Sequence, residues 1–380
     1  MRVLVVSHSC ATALNQQLYD VLQRETGWDI TLVVPADWKD EFGNQLDEPG
    51  WPDSKVRLCK IGVWGNGSII FHLYKKNWLR FLRDNRFDAI YVNHEPYALA
   101  TVQIALANRL SSRAPFGFYS CQNIFKKYPP PFSWMESFVY RKSSFAFPIT
   151  SDVADVLKQK GFNKELSVCA LPLDPGLYRP YGKAEDEKLI PRASGEAVIG
   201  YVGRLVEAKG LRTLALALGK IKDLPWKLVV IGKGEYEAPF QHLLSEQGVL
   251  GRASFAGYVP HDQTPRYLSA FDMLVVPSET QPNWKEQFGR VIPEALASGT
   301  AVIGSDSGEI PRLITQSQGG LIFPEKNSEE FSERLRSLIV APEQRAHYAR
   351  LGMEWVTSQI SLQTISKKMA ATLKAACQPQ

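Results

Sequence analysis

Cysteine is scarce in this chain of 380 residues, and the few cysteines follow no pairing pattern. They are spread widely and form no CxxC or Cys/His ligand spacing: Cys10, Cys59, Cys121, Cys169 and Cys377. An odd, scattered set argues against a disulfide framework and against a zinc site. We therefore expect free thiols and no bound metal.

Long hydrophobic runs are also missing. No stretch approaches the ~20 consecutive apolar residues that span a bilayer. The opening MRVLVVSHSC has only a short apolar run before polar residues, so we expect a cytoplasmic protein that begins on a strand. The hydrophobic share of 44% and the charged share of 22% are typical of globular proteins, and the length suits two domains.

A strong overall charge is absent too, since the formal net charge is +5. The charge is uneven, because residues 55–142 hold 14 lysines and arginines against 4 acidic residues. Within this region, IIFHLYKKNWLRFLRD (69–84) has a basic amphipathic pattern that suits peripheral contact with a membrane surface. A core-packed helix with a charged outer face explains the same pattern and is the favoured interpretation. No nucleic-acid partner is expected.

The common nucleotide-binding glycine motifs are not present either. No GxGxxG follows the first apolar run, and GRLVEAKG (203–210) differs from the phosphate loop GxxxxGK[ST] because its lysine precedes the second glycine. Dinucleotide redox chemistry and mononucleotide hydrolysis therefore lose support. A glycine loop that carries Arg204 and Lys209 from a strand into a helix still suits a diphosphate, although a loop with two solvated cations would look the same.

What the chain does have is a regular alternation of short apolar runs with helical periods. This alternation predicts an α/β fold of two doubly wound Rossmann-like domains that face each other across a cleft. The charged stretch 179–197 marks the boundary between domains 1–185 and 186–359, and we expect a C-terminal helix, 360–380, to pack back on the first domain. The predicted strands are VLVV (3–6), ITLVV (30–34), AIYV (89–92), FGFYS (116–120), FAFPI (145–149), VIGYV (198–202), LVVI (228–231), ASFA (253–256), MLVV (273–276), AVIG (301–304) and LIF (321–323).

The stretch KEQFGRVIPEALASG (285–299) sets Glu286 and Glu294 eight positions apart. On an unbroken helix they would lie about 80° apart around the axis and about 12 Å along it, which is a poor acid/base arrangement. Pro293 loses no hydrogen bond in a first helical turn, so the helix is expected to begin near 289–292 and to end at Gly299. Glu286 then lies on the incoming loop and Glu294 inside the helix, on either side of an N-terminus that can bind an anion.

Several motifs follow one another in a fixed order through the second half of the chain. They are GRLVEAKG (203–210), IGKGE (231–235), FAGYV (255–259), a tyrosine-to-aspartate helix (267–272), VVPSE (275–279), EQFGRVIPEALASG (286–299) and AVIGSDSGEIPRLI (301–314). This order resembles the family 4 glycosyltransferases, which are retaining enzymes of the GT-B fold that use nucleotide-sugar donors. The resemblance covers the whole second domain, whereas the first domain matches only in strand order and in HEP (94–96).

The resemblance implies a glycosyltransferase of the hexosyltransferase type. It would move a sugar from a UDP- or GDP-linked donor to the hydroxyl of a saccharide, lipid-linked or small-molecule acceptor, with the anomeric configuration retained. The donor is a co-substrate, so no cofactor is implied. The other main glycosyltransferase architecture holds a metal on an Asp-x-Asp motif, which occurs nowhere in this chain, so a metal-independent reaction is expected.

The resemblance also implies roles for residues of the second domain. Glu286 would meet hydroxyls of the transferred sugar, and Glu294 would take the ribose hydroxyls. The other implied donor contacts are Gly203, Arg204 and Lys209 for the diphosphate, the amides around Phe288, Gly289, Arg290 and Val291 beside it, and the main chain near Val259 for the base.

The first domain departs from the family pattern. Paired glycines are replaced by HSCAT (8–12), which is followed by Asn15, and a histidine near the anomeric carbon is replaced in SCQN (120–123), where Gln122 and Asn123 supply polar groups. His94 and Glu95 follow a predicted strand and are the catalytic candidates on the acceptor side. A buried histidine that holds a loop explains His94 equally well.

Two further features leave alternatives open. The segment TQPNWK (280–285) lengthens the loop before Glu286 and adds Trp284, which either leans on a sugar or caps the cleft. The missing glycines and histidine also allow a protein that binds nucleotide-sugars without turnover, or a nucleotide-sugar epimerase of the same fold. Nucleotide release and epimerised product distinguish these three functions.

Overall fold

The computed structural model describes residues 1–39, 45–46 and 48–378. Residue contacts divide the chain into two compact units: the first holds Met1–Pro172 and the chain from Leu362 onward, and the second holds Leu173–Ser361. The division falls at 172/173, whereas the sequence pattern put the domain boundary at 185/186. Of the predicted C-terminal segment, residues 379–380 lie outside the described residues.

A parallel sheet forms the centre of the first unit. The strands of this unit are β1 (Arg2–Val6), β2 (Asp29–Pro35), β3 (Trp38–Lys39), β4 (Gln45–Leu46), β5 (Arg57–Ile61), β6 (Val63–Trp64), β7 (Leu73–Tyr74), β8 (Ala89–Val92), β9 (Phe116–Ser120), β10 (Phe145–Pro148) and β11 (Glu165–Leu166). Within the described residues, seven of them pair in the order β11-β10-β9-β8-β1-β2-β5. The pairs β3/β4 and β6/β7 are short antiparallel ribbons. The strand order reverses direction between β1 and β8, which is where ligands bind in open α/β sheets.

Helices connect the strands of the first unit. They are α1 (Gln17–Thr26), α2 (Trp78–Asn85), α3 (Leu99–Leu110), α4 (Phe132–Lys142) and α5 (Ser151–Gln159). Because helices lie over both faces, the central strands are buried on both sides and consist of continuous apolar runs.

The second unit has a separate parallel sheet. Its strands are β12 (Ala197–Val202), β13 (Trp226–Ile231), β14 (Ala253–Gly257), β15 (Met273–Val276), β16 (Ala301–Ser305) and β17 (Gly320–Phe323). Within the described residues they pair in the order β14-β13-β12-β15-β16-β17. The order reverses between β12 and β15, so the loops that follow these two strands meet at the carboxyl edge of the sheet.

The remaining helices follow in chain order. Those of the second unit are α6 (Lys183–Leu189), α7 (Leu211–Gly219), α8 (Glu237–Glu246), α9 (Thr264–Ala270), α10 (Val291–Ala297), α11 (Ile310–Ser317), α12 (Ser328–Val340) and α13 (Pro342–Gln359). The last helix, α14 (Leu362–Ala376), packs in the first unit, where Ile365, Met369 and Leu373 join the hydrophobic cluster that contains Leu22. Across the described residues, no helix combines the length and apolarity needed to cross a membrane.

Comparison with the sequence pattern gives two additional strands and one correction. The predicted strands coincide with strands of the two sheets, although Ile149 lies one residue beyond β10. The sheet strands β5 and β11 were not predicted, because RLCKI mixes charged and apolar residues and β11 has only two residues. The 69–84 stretch is a helix only from Trp78. There Trp78 and Leu82 are buried, whereas Ile69 and Phe71 precede the helix and are exposed.

Candidate functional site

The second unit brings Lys209 and Glu286 together beside the carboxyl ends of β12 and β15. Lys209 ends a short 3₁₀ turn in the loop after β12, and Glu286 lies in the loop after β15. Lys209 Nζ donates to Glu286 Oε2 over 2.6 Å, and Ser278 Oγ donates to the same oxygen over 2.9 Å. Since both charged side chains are mostly buried, this is a strong, charge-assisted contact.

Gly210 lets these two loops approach each other. Its φ is +66°, and a Cβ at this position would lie 1.8 Å from the carbonyl oxygen of Pro277. No other residue fits a positive φ and so close a backbone contact without displacement. The N–H of Glu279 also donates to the carbonyl of Ala208 over 2.8 Å, which joins the loops through the main chain.

The lengthened segment 280–285 forms a tight hairpin that carries Trp284. The N–H of Gln281 donates to the carbonyl of Trp284 over 2.7 Å, and the reverse bond is 3.2 Å. The backbone N–H and the hydroxyl of Thr280 each donate to the Glu325 carboxylate over 2.5 Å. The Trp284 ring centroid lies 4.9 Å from Lys209 Nζ, which is a cation–π contact.

Glu294 lies on α10 and is the centre of a second polar network. Its Oε1 accepts a hydrogen bond from Arg290 Nε over 2.8 Å and one from the Tyr178 hydroxyl over 3.2 Å. His261 Nε2 lies 2.9 Å from a terminal nitrogen of Arg290 and 3.1 Å from the Tyr178 hydroxyl. The four side chains therefore support one another.

Burial sets the electrostatics of this network. Desolvation raises the pKa of Glu294, and the Arg290 guanidinium opposes that rise. Desolvation and the positive charge of Arg290 lower the pKa of His261 to about 4. At neutral pH the histidine is therefore uncharged, so its Nε2 can accept a hydrogen bond from Arg290.

The other predicted donor residues are placed as follows. Phe288 is buried, and Gly289 has a φ of +68°, a conformation that favours glycine. Arg204 is exposed, and its carbonyl accepts a hydrogen bond from the buried Tyr201 hydroxyl over 2.8 Å. Val259 lies two residues before His261, so its loop reaches the Glu294 network. The last two, Gly203 at the end of β12 and Val291 at the start of α10, are partly buried.

The helix start in this motif is close to the prediction, but the helix is short. α10 covers seven residues, Val291–Ala297, with Pro293 in its first turn. A helix of fewer than two turns has little cumulative dipole. Binding of a diphosphate by Arg204, Lys209 and the amides at the start of α10 stays a prediction.

Three histidines cluster in the first unit, beside the carboxyl ends of β1 and β8. The rings of His8 and His94 stack with centroids 4.6 Å apart, and their Nδ1 atoms are 2.7 Å apart. The ring of His72 lies 4.8 Å from that of His94, and Trp38 packs against His8 and His72. Desolvation lowers the pKa of all three histidines, to about 3 for His8, so the cluster is uncharged at neutral pH.

Glu95 is held inside the first unit by the turn after β9. One carboxylate oxygen accepts hydrogen bonds from the N–H and the thiol of Cys121 over 2.7 and 3.1 Å, and the other accepts one from the Ser120 hydroxyl over 2.8 Å. Desolvation raises the pKa of Glu95, which these bonds partly offset. The geometry gives Glu95 a role in fixing this turn, and its catalytic role stays a prediction.

The three acceptor-side residues take part in local structure. Asn15 Nδ2 donates to the carbonyl of Ser9 over 2.7 Å. Gln122 Nε2 donates to the carbonyl of Ile124 over 2.8 Å, and Asn123 is buried. Contact with an acceptor stays a prediction for all three.

Several residues of these networks had no role in the sequence interpretation. Tyr178 and His261 come from loops distant in sequence from Glu294, and Ser278 differs little from any serine after a strand. His8 was noted only as a replacement for glycine. His261 could have been identified as a candidate, because it lies two residues after Val259, which was already a candidate contact for the base. Over the described residues, no group of three or more His, Cys, Asp or Glu side chains is arranged to hold a metal ion.

Part of the chain is similar in sequence to known glycosyltransferases. Residues 183–355 match the family model described as Glycosyl transferases group 1. The chain is 28% identical over 207 residues to the GDP-mannose-dependent alpha-(1-6)-phosphatidylinositol monomannoside mannosyltransferase of Mycobacterium tuberculosis, a match that covers 53% of this chain and 54% of that protein. It is 27% identical over 217 residues to the lipopolysaccharide core biosynthesis glycosyltransferase LpsE of Rhizobium meliloti, with 57% and 60% covered. The chain thus spans little more than half the length of these curated relatives.

Solved structures match over nearly the whole chain. Sucrose-phosphate synthase from Thermosynechococcus elongatus aligns with a TM-score of 0.75 at 16% identity, over 99% of this chain and 98% of that one. Anabaena HepE in complex with UDP aligns with a TM-score of 0.74 at 16% identity, over 99% and 100%. The predicted α/β fold of two Rossmann-like domains, the GT-B architecture, is confirmed.

Proposed function

We propose that this protein is a retaining hexosyltransferase that moves a sugar from a UDP- or GDP-linked donor to an acceptor hydroxyl without a metal ion or a cofactor. The observation that carries the proposal is the arrangement of two ion pairs, Lys209 with Glu286 and Arg290 with Glu294, in a region that matches group 1 glycosyltransferases. Each pair combines a cation with a carboxylate that is more than nine-tenths buried. Buried ion pairs are costly to desolvate, which favours a functional reason for keeping two of them together.

In the proposed donor complex, the two glutamates bind opposite ends of one nucleotide-sugar. Glu294 accepts hydrogen bonds from the ribose hydroxyls, and Glu286 accepts them from hydroxyls of the sugar. Lys209 and Arg204 neutralise the diphosphate between these ends, since guanidinium and ammonium groups suit separate phosphate oxygens. The main chain near Val259 then contacts the base.

The contacts of Glu286 support binding of hydroxyls over nucleophilic attack. One of its oxygens already accepts two short hydrogen bonds, from Lys209 and Ser278, which lowers its reactivity toward an anomeric carbon. We therefore propose front-face transfer. The bond from C1 to the phosphate oxygen breaks, the acceptor oxygen bonds to C1 on the same face, and the acceptor proton passes to the departing diphosphate. The cations stabilise the negative charge that develops on that diphosphate.

The acceptor is proposed as a saccharide, a lipid-linked molecule or a small molecule. The curated relatives are named for a phosphatidylinositol mannoside and for a lipopolysaccharide core, and such names support an acceptor at a membrane surface. No nucleic acid takes part in the proposed reaction.

A panel of UDP- and GDP-hexoses tests the proposal. Nucleotide release that requires both a sugar donor and an acceptor supports transfer, and the anomeric configuration of the product tests retention. Nucleotide-sugar binding without turnover would identify a binding protein. Formation of an epimerised nucleotide-sugar would identify an epimerase.

Contact with the cytoplasmic surface of a membrane is part of the proposal. Ile69, Phe71, Lys75 and Lys76 are all exposed in the first unit, a mixture of apolar and basic side chains that suits an anionic bilayer. Co-sedimentation should be stronger with vesicles that contain phosphatidylglycerol than with phosphatidylcholine alone. Phe71→Ser should weaken it, and equal sedimentation of the parent with both vesicles would contradict the contact.

A further inference from the structure

We propose that Trp284 selects the donor's sugar by packing its indole ring against the C–H face of the hexose beside Glu286. The inference rests on the proposed function, because it assumes that Glu286 marks the sugar end of the donor. It adds a residue that lies in the lengthened hairpin 280–285 and outside the paired-glutamate motif.

The hairpin is built to hold a side chain in place. Its two ends are joined by the reciprocal main-chain bonds between Gln281 and Trp284. Its base is fixed by Thr280, which donates twice to Glu325 and lies 3.0 Å from the Ser307 hydroxyl. Glu325 follows strand β17 and Ser307 follows strand β16, so the hairpin is anchored at the rigid edge of the sheet.

Trp284 does not behave as an ordinary packing residue. Among the described residues, the main hydrophobic cluster of the second unit is made of other side chains, and Trp284 is only partly buried. Its ring contacts the Lys209 ammonium instead, and Lys209 is bonded to Glu286. The indole is therefore one side chain away from the carboxylate that is proposed to bind the sugar.

An indole at this position would distinguish hexoses by their shape. The face of the neutral indole ring has a negative electrostatic potential that attracts polarised C–H groups, so a sugar face lined with C–H groups packs well. A hydroxyl directed at the ring would instead lose water without gaining a hydrogen-bond partner, which is costly. Epimers differ in which face carries such a hydroxyl, so the ring favours one epimer over another.

The test uses Trp284→Ala, Trp284→Phe and a control in the same hairpin, Pro282→Ala, whose proline is exposed at the hairpin tip. Steady-state kinetics are measured with pairs of epimeric UDP- and GDP-hexoses, and calorimetry measures the Kd of UDP and of GDP alone. Trp284→Ala should raise KM for the preferred donor about fivefold to tenfold and bring the kcat/KM ratio of the epimers close to one, because one aromatic contact is lost. Trp284→Phe should keep most of the selectivity, and Pro282→Ala should match the parent.

Calorimetry with UDP and GDP alone distinguishes a failure of this inference from a failure of the proposed function. With Trp284→Ala, their Kd should change much less than the KM of the nucleotide-sugar, because Lys209 loses its contact with the ring but Lys209 and Arg204 both keep their charges. Equal losses for UDP or GDP and for the nucleotide-sugar would assign Trp284 to the nucleotide and overturn the inference. Unchanged epimer selectivity in Trp284→Ala would also overturn it. A parent protein that binds no nucleotide would overturn the proposed function and the inference with it.

Discussion

Glu294 and Glu286 are the two acidic side chains of the segment 285–299. Removal of the Glu294 carboxylate should weaken nucleotide binding more than removal of the Glu286 carboxylate. The side chain is buried, and its charge is maintained by Arg290 and Tyr178 at 2.8 and 3.2 Å. The ribose hydroxyls would donate to this charged acceptor, and a hydrogen bond to a charged group contributes about 1.5–3 kcal/mol. Glu294→Ala should therefore raise the Kd for UDP or GDP about 10- to 100-fold.

Glu294→Gln separates charge from shape. It keeps one carbonyl acceptor and the side-chain volume, so its loss should be smaller than that of Glu294→Ala. A suitable control is Glu246→Ala in the same unit, because Glu246 is exposed and forms an ion pair with the exposed His242. Its Kd should stay within about twofold of the parent, since exposed pairs contribute little.

Glu294→Ala should also affect folding, because it leaves Arg290 without its carboxylate partner. The two side chains are 36% and 6% exposed, so part of the cost of the unpaired charge is screened by water. Calorimetry should therefore be performed well below the melting temperature of each variant, with circular dichroism as a check of folding. If folded Glu294→Ala binds UDP and GDP as tightly as the parent does, the assignment of Glu294 to the ribose is wrong.

Four further predictions concern charge, turnover, pH and metal. Arg204→Ala and Lys209→Ala should weaken binding of the nucleoside diphosphate more than that of the nucleoside, and equal losses for both ligands would indicate damaged folding instead. Glu286→Ala should lower turnover of the donor while the Kd for UDP or GDP changes little, and a loss confined to nucleotide binding would contradict its contact with the sugar. Burial lowers the pKa of His8 to about 3. The free energy of unfolding should therefore fall by about 1.4 kcal/mol per pH unit, through this histidine, as the pH decreases from about 6.5. Urea unfolding of His8→Asn should show a shallower pH dependence than that of the parent, and identical slopes would contradict the lowered pKa of His8. Sugar-dependent nucleotide release should survive excess EDTA, and loss of activity with rescue by Mg²⁺ or Mn²⁺ would contradict the metal-independent mechanism.

The sequence by itself determined the fold class and the start of helix α10. Parallel strands that are covered on both faces must be apolar throughout, so runs such as VLVV and MLVV identify strands without knowledge of their partners. Pro293 and Gly299 likewise bracket the short helix α10, because proline suits a first turn and glycine suits the end of a helix. These signals are local, and local backbone chemistry decides them.

Tertiary structure decided which side chains meet. The contact of Lys209 with Glu286 joins residues 77 positions apart, and that of Tyr178 with Glu294 joins residues 116 positions apart. The hydrophobic periodicity of the sequence does not predict these contacts, because they depend on the order of strands in the sheet and on the loops at its edge. The same holds for Glu95: its sequence position suggested a reactive group, but the folded turn at Ser120 and Cys121 surrounds its carboxylate with donors.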